Sequence, residues 1–309
     1  MVPGRWQLEA KIRPDSIALG MGAALGAFLM FTVMNVFAKL LSEQHSVVEI
    51  AFYRNLVATL PFLFVIFGLG RREILVIRHK SGLIITRAVL GTVSLVGTFA
   101  AFSMLPMADA TVLLFASTLF IPILGVLILS ERVGPWRWAA VIIGFGGVLI
   151  MARPSGQLYA LGIAIALGTA FLQALMQIVL RYLGRHESPE TITFYFFLIG
   201  TIVTAVPLPF IAVRPTLTEI PMLLGIGLSG ALAQWLFSIA FRHAPATIVS
   251  IFNYSGIVWA TLFGWLIWND WPLPVVFAGA TIVIASNILI IWREHRQRSL
   301  DDAAVRSTL

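Results

Sequence analysis

Long apolar stretches, each closed by a few charged, Pro or Gly residues, run the length of this chain. Ten of them approach the 20 or so residues that a helix needs to cross the hydrocarbon of a bilayer. The pattern predicts spans at Ser16–Leu40, Val47–Gly68, Gly82–Met104, Ala108–Leu129 and Gly134–Met151. It predicts five more at Gln157–Arg181, Glu190–Ala212, Thr218–Phe241, Ala246–Trp268 and Pro272–Trp292. The connections are short and marked by Pro or Gly, as at Pro106, Pro154, Pro215 and Pro245, and none can hold a soluble domain.

The two halves of the pattern resemble each other at a shift of 142. Ala18-Leu-Gly20 matches Ala160-Leu-Gly162, Ala24-Leu-Gly26 matches Ala166-Leu-Gly168, Asn35 meets Gln177, and Phe52-Tyr53 meets Phe194-Tyr195. Further on the shift drifts: Phe102 and Pro106 answer Phe241 and Pro245, Ala110-Thr111 answers Ala246-Thr247, and Glu131 and Pro135 answer Asp270 and Pro274. Five is an odd number of passes, so the second half is expected upside down relative to the first. Inverted repeats are the architecture of alternating-access carriers, which hold substrate near mid-membrane between the halves. The expected organisation is a cytoplasmic segment 1–15, a first repeat 16–151, a linker 152–156, a second repeat 157–292 and a cytoplasmic tail 293–309.

Composition supports this reading. Only 11% of residues are charged and 59% are hydrophobic, too few charges to cover a water-soluble surface, so lipid is the expected surroundings. The net charge of +7 sits in loops and tails, which argues for membrane orientation and against a nucleic-acid partner. With the N-terminus in the cytoplasm, only Lys39, Arg153 and Arg214 fall outside, so both termini are expected to be cytoplasmic. The apolar stretch after the charged N-terminal segment is too long for a signal-peptide core, so the first helix is expected to stay.

With no cysteine, disulfides, thiolate catalysis and sulfur-ligated metals are excluded. No acid or histidine reaches the middle of a span, so neither a catalytic set nor a metal or cofactor site is expected. The interior chemistry is neutral. Thr169, Gln173, Gln177 and Arg181 recur at i, i+4 and line one helix face, which has to meet protein or water because unpaired polar groups facing lipid cost several kcal/mol. Phe31 and Asn35 are the repeat counterparts of Gln173 and Gln177. Ser94, Thr98 and Phe99 in the third span, Phe197 in the seventh, and Gln234, Trp235 and Ser238 in the eighth complete the candidate substrate-binding set. Arg54, a charge within a span, pairs with Glu49 or receives a substrate carboxylate, and Arg87 is expected to snorkel to the inner interface.

Phe52-Tyr-Arg54-Asn, Met107-Ala-Asp-Ala-Thr-Val-Leu-Leu-Phe115 with Pro122, Leu129-Ser-Glu131-Arg-Val, the run Trp138–Val148 and Arg153-Pro154 together resemble the drug/metabolite transporter superfamily in its ten-helix EamA-type branch. The resemblance covers about residues 16–292 and is strongest to bacterial inner-membrane exporters of amino acids, including aromatic ones. It implies an all-α membrane protein whose ten helices form two inverted five-helix repeats around a central cavity, with helices 5 and 10 at the periphery. It also implies a bacterial inner-membrane exporter of amino acids, tolerant of aromatic side chains, and of related small metabolites. Export of another metabolite or drug class (a vitamin, nucleoside or toxic compound, with proton coupling) and a receptor or scaffold without flux are the alternatives. A small-molecule substrate and the lipid bilayer are the expected partners. The oligomeric state is open, a monomer being compatible with the pattern. In the resemblance, Pro122 of the fourth span has Val258 as its counterpart, which breaks the symmetry of a proline hinge.

Overall fold

The computed structural model describes residues 14–78, 81–129, 134–152, 157–183, 187–244, 246–286 and 288–289. Among them every regular element is a helix. The first half contains α1 (Pro14–Leu41), α2 (Val47–Leu63, continued by a π-helical turn, Phe64–Gly68), α3 (Ser81–Met104), α4 (Met107–Leu114), α5 (Ser117–Leu129) and α6 (Pro135–Ala152). The second contains α7 (Gln157–Leu183), α8 (Pro189–Ala205), the single turn α9 (Leu208–Ile211), α10 (Ile220–His243), α11 (Ala246–Asn253), α12 (Ser255–Trp268) and α13 (Pro274–Ser286). Among the described residues seven helical segments are long and apolar enough to cross a membrane, and three shorter apolar helices coincide with the predicted fifth, seventh and tenth spans.

The repeat is visible in the elements themselves. α2 and α8 have 17 residues each, and α3 with α10 and α4 with α11 end at counterpart residues. α2 starts behind Ser46, whose hydroxyl accepts from the Glu49 N–H, and α8 starts behind Ser188, whose hydroxyl accepts from the Thr191 N–H, so even the caps obey the shift of 142. From α3 onward the helix ends keep a shift of 139, Met104 of α3 with His243 of α10 and Leu114 of α4 with Asn253 of α11. Met107 therefore aligns with Ala246, and the sequence match of Ala110-Thr111 to Ala246-Thr247 is three residues out of register. By the same register Pro122 faces Thr261 in the repeat rather than Val258.

Close packing follows the repeat too. α1 packs along α10, and its counterpart α7 packs along α3. A Cβ added to Gly20 would stand 2.6 Å from the Ala244 Cβ, and one added to Gly162 would stand 3.0 Å from Leu105, which is the counterpart of Ala244. These glycines let two backbones approach where hydrocarbon lipid offers no hydrophobic drive for helices to associate. α6 lies against α13, with Gly147 facing the carbonyl of Gly279.

Two sets of contacts tie loops together. At one end His45, between α1 and α2, lies 3.1 Å from Glu49 Oε1 and 3.3 Å from Glu219 Oε2. The Val213 N–H donates to Glu49 and the Thr216 N–H to Glu219, which pins the α9–α10 loop onto the start of α2. At the other end Glu187, the counterpart of His45, accepts from the Arg78 N–H, and Tyr195 Oη–H donates to the Leu75 carbonyl. The expected pairing of Arg54 with Glu49 is not formed, because Glu49 is committed to His45 and the Val213 N–H.

Two expectations follow. Gly20→Val and Gly162→Val should each cost about 1–3 kcal/mol by overpacking, read as a lower unfolding temperature in detergent; an unchanged temperature would contradict the close approach. The Glu219 carboxylate is held below its ordinary range, chiefly by the N–H and hydroxyl of Thr216 and then by His45. A depressed carboxylate contributes stability that is present above its unfolded value near pH 4 and lost as the pH falls through the lower folded value. Acidification from about pH 5 to about pH 3 should therefore lower the unfolding temperature of the wild type more than that of Glu219→Gln, and parallel curves would contradict the latch.

Candidate functional site

Counterpart residues of two halves related by a two-fold axis can touch each other only on that axis. Two such contacts exist among the described residues. Phe115 and Tyr254, related by 139, meet edge to face at 5.6 Å. Arg54 and Phe196, related by 142, meet with the guanidinium 5.4 Å from the ring centre. Counterparts five passes apart run in opposite directions, so the axis lies in the membrane plane and both contacts mark the middle of the bilayer.

The Phe115–Tyr254 contact sits where two helices break. α4 ends at Leu114 and α5 begins at Ser117; α11 ends at Asn253 and α12 begins at Ser255. The breaks are therefore symmetric although Pro122 has no proline partner. Backbone released in this way needs protein or a water-filled opening beside it. Just beyond the second break, Ser255 Oγ and Trp259 Nε1 are buried with no hydrogen-bond partner.

Either side of the axis, the two packed helix pairs carry different chemistry at the same level. On the α3–α7 wall Gln173 Nε2 donates to Thr98 Oγ1 at 3.2 Å. The counterparts of these two residues are Phe31 and Phe237, and on the α1–α10 wall their rings meet at 6.0 Å with Phe28 packed on both. One wall is polar and the other aromatic. Asn35, one turn along α1 from Phe31, has its Oδ1 buried without a donor. Gln177 is exposed, yet it points to the side of α7 opposite the exposed stripe of Leu161, Ala164, Gly168 and Phe171. An exposed amide on the protein-facing side of a membrane helix needs water or protein beside it rather than lipid.

The other expected residues divide. Gln234 is half-buried on α10, and Ser238 is exposed, its hydroxyl donating to the Gln234 carbonyl. Ser94 is buried, and its carbonyl accepts from Thr98. Three aromatic residues stand apart from the two walls. Phe99 and Phe197 are 0% exposed and packed into separate hydrophobic clusters, so neither offers a face to a ligand here. Trp235 is 62% exposed in line with Leu224, Leu228 and Leu232, the outward stripe of α10, which places its ring with the lipid-facing side chains. Arg54 is 1% exposed and donates to Asn55 Oδ1. Arg87 does not snorkel: it is 7% exposed with its guanidinium 4.3 Å from the Phe196 ring centre. The Arg181 side chain and Glu131 lie outside what the structure describes.

Phe28 and Phe237 are the wall residues that the i, i+4 polar pattern misses. The repeat was the available signal, because Phe237 stands at 139 from Thr98. Among the described residues no group of His, Asp and Glu could hold a metal ion. The arrangement can hold a small molecule by hydrogen bonds on one side and ring contacts on the other.

The model of the EamA-like transporter family matches twice, over residues 18–153 and 160–292. The chain is 30% identical to the pseudopaline exporter of Pseudomonas aeruginosa, over 89% of this chain and 97% of that one. It is 29% identical to a riboflavin transporter of Vibrio cholerae (89% and 93% covered) and 26% identical to an S-adenosylmethionine uptake transporter of Rickettsia bellii (91% and 96% covered). A solved crystal structure only 14% identical superimposes with a TM-score of 0.62 over 92% of this chain and 99% of its own, which supports the fold alone. The chain belongs to the EamA-like transporter family and is a multi-pass helical membrane transporter of small metabolites.

Proposed function

We propose that this chain exports amino acids, aromatic ones included, and related small metabolites across a bacterial inner membrane by alternating access. The moving halves are residues 16–151 and 157–292, joined by 152–156, with segments 1–15 and 293–309 in the cytoplasm. The observation that carries this reading is the pair of unlike walls at one level: Gln173 with Thr98 on one side, Phe28, Phe31 and Phe237 on the other. A molecule with a polar head and a ring fits between them, and the free Asn35 Oδ1 supplies an acceptor for an ammonium N–H. The name of the Pseudomonas relative supports the direction, being that of an exporter. No acid lies mid-span in the sequence, and Glu49 is tied into the loop latch, so downhill movement without proton coupling is the mechanism favoured.

The test is flux of labelled amino acids in proteoliposomes, with and without an imposed pH gradient, alongside riboflavin and S-adenosylmethionine as competitors. Downhill flux that aromatic amino acids inhibit and the gradient leaves unchanged is the expected result. Flux inhibited only by the vitamin or the nucleoside-like competitor would replace the substrate class. Gln173→Ala and Gln177→Ala should each weaken apparent affinity about 2- to 10-fold, the worth of one hydrogen bond, and Phe237→Ala should weaken the aromatic substrates selectively. Trp235→Ala, in the outward stripe, should transport normally. Normal flux in the first three variants with loss in Trp235→Ala would contradict the placement of the walls.

A further inference from the structure

Arg54 and Arg87 both lie over one ring. Their guanidinium carbons stand 5.4 and 4.3 Å from the centre of Phe196, and Arg54 also lies 4.8 Å from the Phe197 ring centre. Both side chains are more than nine-tenths buried. The ring faces stabilise the cations but satisfy none of the N–H groups, which lie in the guanidinium plane. Arg54 Nη1 donates to Asn55 Oδ1 at 2.8 Å. Arg54 Nε, Arg87 Nε, Arg87 Nη1 and Asn55 Nδ2 are buried with no acceptor.

Every one of these four atoms is a donor, and none of their neighbours described here supplies the missing charge. Arginine does not give up its proton. A buried cation without a counter-charge is strongly destabilising, and two beside one ring more so. The chain itself has no anion to offer, since all of its Asp and Glu residues lie at span ends, in loops or in tails. Glycines stand close to all three side chains, Gly230 and Gly200 from neighbouring helices and Gly91 one turn along the helix of Arg87 itself. A Cβ on Gly230 of α10 would stand 3.0 Å from Arg54 Nε, one on its counterpart Gly91 of α3 would stand 3.3 Å from Arg87 Nη1, and one on Gly200 of α8 would stand 2.7 Å from Asn55 Nδ2. The Arg54–Phe196 contact lies on the two-fold axis, at the level where an alternating-access carrier holds its cargo.

We infer that Arg54, Arg87 and Asn55 form a carboxylate-binding subsite for the transported molecule. The carboxylate supplies acceptors that these donors lack and offsets one of the two positive charges for the crossing. Cargo with an acidic group is therefore favoured over the same cargo with that group blocked. This rests on the reading of the chain as a carrier of small metabolites and adds to it the charge its cargo bears.

The experiment compares phenylalanine with phenylalanine amide on the full chain in nanodiscs and in proteoliposomes, at a pH where the amide's amine is protonated. Binding is read by thermal stabilisation and competition, transport by flux. The wild type should prefer the acid by at least about tenfold, as charge-assisted hydrogen bonds provide. Arg87→Gln should reduce that preference to within about threefold with little change in binding of the amide, and Arg87→Lys should retain part of it. Arg54→Gln should behave like Arg87→Gln; if it does not fold, the two Arg87 variants decide. Equal binding of acid and amide by the wild type, with flux of both, would overturn the subsite and leave the carrier reading standing. A preference that survives in Arg87→Gln would equally overturn it. Absence of both binding and flux for either compound would overturn the subsite together with the amino-acid reading.

Discussion

Two contacts between repeat-related residues, Phe115 with Tyr254 and Arg54 with Phe196, fix where the halves of this bundle meet. Everything between them inherits their geometry. Because the axis through them lies in the plane of the membrane, whatever one half presents toward one side, the other presents toward the opposite side. The two helix breaks fall on the first contact and the two buried arginines gather at the second. A carrier needs a place that both halves can reach and neither half encloses alone, and an axis between inverted halves is such a place.

Symmetry of the backbone does not require symmetry of the chemistry. α3 with α7 and α1 with α10 approach in the same way, yet one pair meets through an amide and a hydroxyl and the other through three phenylalanines. Similarly, Arg54 on α2 has an aromatic ring, Phe196, as its counterpart on α8. The divergence of side chains on a conserved pairing of helices is what converts a symmetric scaffold into an asymmetric binding site. In a bilayer this divergence has a cost, since each new polar group must find a partner within protein, water or cargo. The latch of His45, Glu49 and Glu219 shows the first solution, with loops supplying N–H donors to the carboxylates.

Much of the fold was legible in the sequence because bilayer thickness sets a length scale that apolar runs must meet. The shift of 142 was legible from Ala-Leu-Gly triplets that later proved to be close-packing positions, Gly20 on Ala244 and Gly162 on Leu105. The Ala-Thr pair misplaces the register of α11, because such a pair is too common in apolar helices to fix an alignment, whereas the matching ends of α4 and α11, Leu114 and Asn253, agree with the Phe102 and Pro106 matches. The polar face of α7 was readable from its i, i+4 spacing. The aromatic residues were not separable by sequence: Phe99 and Phe197 fill the packing between helices, Trp235 faces outward, and Phe28 and Phe237 form the wall, although all are apolar rings inside apolar runs. Arg87 could be judged only once Phe196 was seen to cover it.

The claim that organises the account is that Asn35 and Gln177, counterparts across the axis, line openings toward opposite sides of the membrane and exchange access during transport. The chain has no cysteine, so single cysteines at these two positions report without background. Labelling Asn35→Cys and Gln177→Cys with a membrane-impermeant thiol reagent from each side of oriented vesicles tests it directly. The two positions should be reached from opposite faces, and substrate should change their reactivity in opposite directions. Labelling of both from the same face, or simultaneous labelling of each from both faces regardless of substrate, would contradict it.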